Sequence, residues 1–109
     1  MDTTKQEYSR QRSSPRVRKL FFISYINKDR DEQKTPVSLG RTTDISSSGV
    51  GMEIYQQISV DSTMEMEIDA ERFSISVQGT VAHVRDMGDG RYFIGVQFST
   101  PQDKLAEIQ

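Results

Sequence analysis

The sequence predicts an all-β domain: a six-stranded antiparallel β-barrel with a flexible N-terminal arm and a short C-terminal helix. Three observations carry this. Apolar and polar residues alternate in several separate runs, the period of a strand with one buried face. Turn-forming clusters such as Met87-Gly88-Asp89-Gly90 separate the runs. At 109 residues and 34% hydrophobic, the chain is long enough for one core and too short for two. A sheet with a single apolar face must bury it by curling on itself, and a small barrel does so economically.

Residues 1–16 carry almost nothing apolar and end in Ser13-Ser14-Pro15-Arg16. Such a segment cannot offset its ordering entropy by burial, so it reads as a basic arm, with residues 17–109 as the barrel domain. Val17 to Ile26 is a strand with apolar residues on both faces: Leu20, Phe22 and Ile26 lie opposite Phe21, Ile23 and Tyr25. The terminal helix is expected to cover the outer of these faces, with a second protein as the alternative cover. A charged loop from Lys28 to Pro36 leads to a weaker strand, Val37 to Ile45. Val50, Met52 and Ile54 mark the third strand; Met64, Met66 and Ile68 mark the fourth, with an acidic outer face.

A long strand runs from Phe73 to about Arg85, and Tyr92, Ile94, Val96 and Phe98 mark the sixth. Gly79 and Gly95 fall inside strands, where glycine permits the bending a small barrel needs. Thr100-Pro101-Gln102-Asp103 has the order of a helix start, a capping threonine followed by proline in the first turn, so a helix of about two turns is expected through Ile108.

Composition excludes several chemistries. The chain has no Cys, which removes disulfides and thiolate catalysis, and no apolar run approaches the roughly 18 residues of a membrane span. A cytoplasmic location without membrane insertion is the expectation, since the N-terminus also lacks the apolar core of a signal peptide. The lone histidine, His83, is in phase with the buried side of its strand, which makes it a barrel-end residue rather than a ligand. One His and scattered carboxylates do not make a zinc site, and no Gly-x-Ser-x-Gly elbow is present. The chain reads as a non-enzyme with no catalytic residues, no metal and no cofactor.

The net charge of −2 hides an asymmetry: residues 1–30 sum to +5 and residues 31–109 to −7. A basic arm on an acidic body suits an anionic partner, or docking of arm on body. Arg10, Arg12, Arg16, Arg18 and Lys19 fall within ten residues, and guanidinium groups bind phosphates and guanine edges in bidentate fashion. The bend Asp44-Ile45-Ser46-Ser47-Ser48-Gly49-Val50-Gly51 supplies a carboxylate acceptor for a donor edge such as that of guanine, a two-way hydroxyl, and glycine for close approach. Taken alone, that bend would be read as a turn.

Together the two stretches are more specific. Arg12-Ser13-Ser14-Pro15-Arg16 fits Arg-x-x-x-Arg, and Asp44-Ile45-Ser46-Ser47-Ser48-Gly49 fits Asp-x-Ser-x-x-Gly. Their order and separation, with Gly51 just after, Val77-x-Gly79-x-Val81 and Phe93-Ile94-Gly95-Val96-Gln97-Phe98, resemble the PilZ domain family over roughly residues 10–100.

The resemblance implies a PilZ-type barrel that binds cyclic di-GMP, a bacterial second messenger. By that analogy Arg12 and Arg16 would grip guanine edges and phosphates from the arm. Asp44 and Ser46 would bond a guanine on the barrel surface, and Gly49 would allow close approach. Arg10, Arg18 and Gly51 would be auxiliary. Binding would order the arm and pass the signal to a separate, unidentified protein, from a monomer or weak dimer. Two rival readings are a barrel-type single-stranded nucleic-acid binder and a ligand-free PilZ-like adaptor. The acidic body disfavours DNA or RNA, and the intact motif residues disfavour the adaptor.

Overall fold

The computed structural model describes residues 20–70 and 72–107. The arm residues Arg10, Arg12, Arg16 and Arg18 lie outside them, as does Ile108, at which the terminal helix was expected to end. Six strands form, each close to an alternating run: β1 Phe22–Lys28, β2 Ser38–Ile45, β3 Gly49–Ile54, β4 Thr63–Ala70, β5 Phe73–Asp86 and β6 Tyr92–Phe98. They close into an antiparallel barrel in the order β1-β2-β3-β6-β5-β4. Closure leaves no unpaired strand edge.

The barrel interior takes the expected apolar phase. Ile23 and Tyr25 from β1 meet Met64 and Ile68 from β4, with Met52, Ile54, Val81 and Ile94 completing the centre, all essentially inaccessible. Burial of side chains of this size stabilises by roughly 1.5–3 kcal/mol each. The Tyr25 hydroxyl reaches out of this environment to donate to Gln56 Oε1 at 2.7 Å. Burial pushes its pKa up, against a smaller opposing effect of a hydrogen bond with Ser38.

β1 continues past Ile26 because Asn27, although polar, keeps the inward phase. Its amide group donates to Ser62 Oγ at 2.9 Å and to the Thr63 carbonyl at 3.2 Å, so its burial leaves no donor stranded. Beyond it, Asp29 Oδ1 accepts from the amides of Asp31 and Gln33, closing the charged loop on itself.

Two irregularities shape the outer surface. A bulge in the β2–β3 ladder falls between Thr42 and Asp44, and another in the β5–β6 ladder between Val81 and His83. Each inserts one residue between inward positions, Thr42 and Ile45 in β2 and Val81 and Val84 in β5. Thr43 and Asp44 therefore both face outward, as do Ala82 and His83. The expectation that His83 points inward is overturned here: strict alternation holds up to Val81, and the bulge then shifts the phase by one.

The C-terminal element is a 3-10 helix of five residues, Asp103–Glu107, rather than a longer helix. Its Leu105 is buried. It is attached at the bend end of the barrel, where the Gln102 amide donates to the Ser47 carbonyl at 2.7 Å and Lys104 Nζ lies 5.4 Å from the Phe73 ring centre. None of the described residues of the C-terminal element lies over the outer face of β1. Leu20 and Phe22 remain 64% exposed and the neighbouring Leu39 70%, so the expected helical cover is not formed.

Candidate functional site

The bend between β2 and β3 is organised by one serine. Ser46 is 2% exposed, its amide donates to the Gly49 carbonyl at 2.9 Å, and its hydroxyl oxygen accepts from the amides of Ser48 and Gly49 at 3.2 and 3.3 Å. A small side chain with an acceptor at this point ties off amides that a tight reversal would otherwise strand. The Ser48 carbonyl then accepts from Phe98 and the Ser47 carbonyl from Gln102, fastening the bend to β6 and the C-terminal segment.

Asp44 stands just before this bend, outward and half-buried, with Oδ1 accepting from the Gly51 amide at 3.2 Å. The β2–β3 bulge is what sets its carboxylate on the outer surface. Gly51 lies opposite it in register, and a methyl group there would come within 2.9 Å of Asp44 Oδ1 and 3.0 Å of both Thr43 Oγ1 and Phe93 Cζ. Of the expected site residues, Asp44, Ser46, Gly49 and Gly51 thus belong to one corner of the barrel. Asp44 faces outward, whereas Ser46 and Gly49 are buried within the bend.

The chain's entry to the barrel is at the same corner. Phe21 donates its amide to Thr42 Oγ1 at 2.8 Å and accepts from the Thr42 amide at 2.9 Å. Thr42 is two residues from Asp44, and β1 runs antiparallel to β2, so Leu20, the first described residue, lies on the Thr43 side of this pair.

One row further from the bend lies a charged cluster. Arg41 bonds Glu53 Oε1 through Nε at 2.9 Å and Nη2 at 2.7 Å, and Arg91 Nη1 bonds Glu53 Oε2 at 2.8 Å. Arg91 also holds Asp89. The Arg41 hydrogen bond, more than the one from Arg91, holds the Glu53 carboxyl below the usual carboxylate range.

A groove of about 500 Å³ crosses the outer faces of β1, β4 and β5, lined by Ser24, Ile26, Val37, Glu65, Glu67 and Gln78 among others. Its two carboxylates, Glu65 and Glu67, would repel an anion. Among the described residues there is no group of three or more His, Cys, Asp or Glu placed to hold a metal ion. No helix among them is long and apolar enough to cross a membrane.

The PilZ domain family profile matches residues 10–109, the bend and the entry strand included. The chain belongs to the PilZ domain family. This PilZ chain shares its fold with solved relatives at low sequence identity. The inhibitor of motility MotI/DgrA of Bacillus subtilis superposes with a TM-score of 0.65 at 14% identity, covering 87% of this chain and 47% of that one. The PilZ domain of YcgR from Escherichia coli, solved with c-di-GMP, gives 0.59 at 12% identity over 82% and 78%. The MrkH–c-di-GMP complex of K. pneumonia gives 0.61 at 19% identity over 85% and 46%. The chain thus spans about half the length of MotI and of MrkH. No curated protein matches it by sequence.

Sequence reasoning places neither His83 nor Phe93 at this corner: His83 reads as inward, and Phe93 enters only as part of the sixth-strand pattern. The signal for them was a pair of glycines, Gly51 and Gly95, on neighbouring strands; Gly95 had been assigned to bending. A methyl group at Gly95 would overlap the His83 imidazole, so close approach of a ring is the reason for glycine there.

Proposed function

We propose that this PilZ domain is a receptor for cyclic di-GMP, a non-enzymatic domain that holds the ligand between the arginine arm and the Asp44 bend. The observation that carries the reading is the meeting of two features at one corner. Asp44 is turned outward by a bulge, and the described chain begins beside it, at Leu20 and the Phe21–Thr42 pair, with Arg16 four residues before Leu20 in the sequence. A guanine can offer N–H donors to the Asp44 carboxylate while guanidinium groups take its phosphates and acceptor edge. The c-di-GMP complexes of the YcgR and MrkH relatives support the same ligand class.

In this arrangement Asp44 contacts ligand, Ser46 and Gly49 set the bend that aims it, and Gly51 keeps the surface beside it low. Arg10 and Arg18 are auxiliary phosphate contacts. Bridging of arm and barrel by one ligand couples binding to the shape of the entry segment. Leu20, Phe22 and Leu39, exposed where the described chain begins, form the apolar surface best suited to pass the change to a separate protein.

Calorimetric titration with cyclic di-GMP tests this. Saturable binding is expected, weakened about 10- to 100-fold in Asp44→Ala and in Arg16→Ala, the range for a hydrogen bond to a charged group. Undiminished affinity in both variants would overturn the proposal.

A further inference from the structure

The two bulges flank a single strand pair, and their consequences meet on its outer surface. Asp44 is opposite Gly51, Gly51 opposite Gly95, and Gly95 opposite His83, so register draws one line across β2, β3, β6 and β5. Side chains on a strand ordinarily stand up from the sheet. In this line the two central positions have none. The space is taken instead by rings leaning in from neighbouring positions.

Phe93, in the next row of β6, brings Cζ to within 3.0 Å of the place a Gly51 methyl would occupy. His83 lays its imidazole over Gly95. The two rings are 5.8 Å apart between centres with 31° between their planes, and the Arg85 guanidinium carbon lies 5.4 Å from the Phe93 centre. His83 is exposed and Phe93 partly so. The result is a low aromatic floor lying against the sheet, beginning where the Asp44 carboxylate ends.

We infer that Phe93 and His83 form a stacking floor for a planar heteroaromatic base whose donor edge is bonded by Asp44. Asp44 Oδ1 and Phe93 Cζ flank the same glycine, so a base lying on the ring has its edge at the carboxylate. The Arg85 guanidinium carbon lies over the Phe93 ring, so a stacking base displaces it from that face, and the freed guanidinium can then donate to an exocyclic oxygen or phosphate of the same ligand. The inference rests on the cyclic di-GMP reading and extends it to residues outside both arginine and bend motifs. It also gives the bulge at His83 a purpose: without that added residue, the imidazole would point into the core.

The test uses the full chain, cyclic di-GMP and a cyclic dinucleotide carrying 2-aminopurine in place of one guanine. Phe93→Leu is expected to weaken binding about 5- to 150-fold, the range for loss of one base–aromatic stack, while Phe93→Tyr stays near the parent. Quenching of 2-aminopurine emission by the parent, lost in Phe93→Leu, reports stacking and not stability. His83 is on the surface, so His83→Ala provides a folded second variant, expected to bind about threefold or more weakly. Parent-like affinity and quenching in both Phe93→Leu and His83→Ala would overturn the stacking floor while leaving the ligand reading intact. Absence of binding by the parent would overturn the ligand reading, and the floor with it.

Discussion

Ser46→Ala separates two roles that the motif serine could play. In the structure Ser46 serves its own bend: the hydroxyl oxygen receives the Ser48 and Gly49 amides at 3.2 and 3.3 Å and lies 3.2 Å from Ser48 Oγ. Alanine removes the acceptor and leaves the Gly49 amide, on a buried residue, without it. Leaving a buried donor unsatisfied costs about 1–3 kcal/mol, and the long contacts here favour the lower end, about 1–1.5 kcal/mol. In a domain of this size each kcal/mol moves the melting temperature by roughly 4–8 °C. Ser46→Ala should therefore melt about 4–12 °C below the parent with no ligand present, and its urea midpoint should fall with the m-value unchanged.

Ser47→Ala is the control, expected to stay within about 0.5 kcal/mol because its part in the bend is through the backbone carbonyl. If Ser46 acted only by touching ligand, the ligand-free Ser46→Ala protein would melt with the parent. An unchanged midpoint would refute the assignment of Ser46 to the bend.

Gly79→Ala should lower stability by about 1–2 kcal/mol in urea unfolding. Its methyl would sit 2.5 Å from the Gln97 carbonyl oxygen and 2.7 Å from Val96 Cγ1, an overpacking only partly offset by the stiffer unfolded chain. Glu53→Gln should cost about 1 kcal/mol or less at neutral pH, given its two part-exposed arginine partners. Because the folded carboxyl titrates below its unfolded value, that contribution is present above the ordinary glutamate range and is lost as pH falls through the depressed value. The stability difference between parent and Glu53→Gln should then vanish in acid; a gap that persists or widens there would contradict the assignment.

Strand existence was legible because a half-buried strand writes its period directly into the sequence. Each of the six runs became a strand, and β5 ended one residue from the expected Arg85. The misreadings share a cause. A bulge shifts the phase of a strand by one residue without changing its composition, so His83 kept its inward appearance in the sequence while its side chain lies outside. The first strand is expected to stop at Ile26, short of Asn27, because the partners that let Asn27 be buried, Ser62 and Thr63, are supplied by a segment 35 residues away. The uncovered face of β1 depends on where the C-terminal segment attaches, a tertiary fact held in the bonds of Ser47 and Ser48. At the site, the outward carboxylate was anticipated from the motif resemblance. The aromatic floor was not, since the relevant signal is the pairing of Gly51 with Gly95, which requires the β3–β6 register.

The most direct test of the account is amide hydrogen exchange across the whole chain, with and without saturating cyclic di-GMP. A ligand held between arm and bend predicts slower exchange with ligand in both residues 10–19 and residues 44–51, with the far strand β4 unchanged. Protection confined to the barrel, or none in either segment, would contradict the claim that arm and bend close on one ligand.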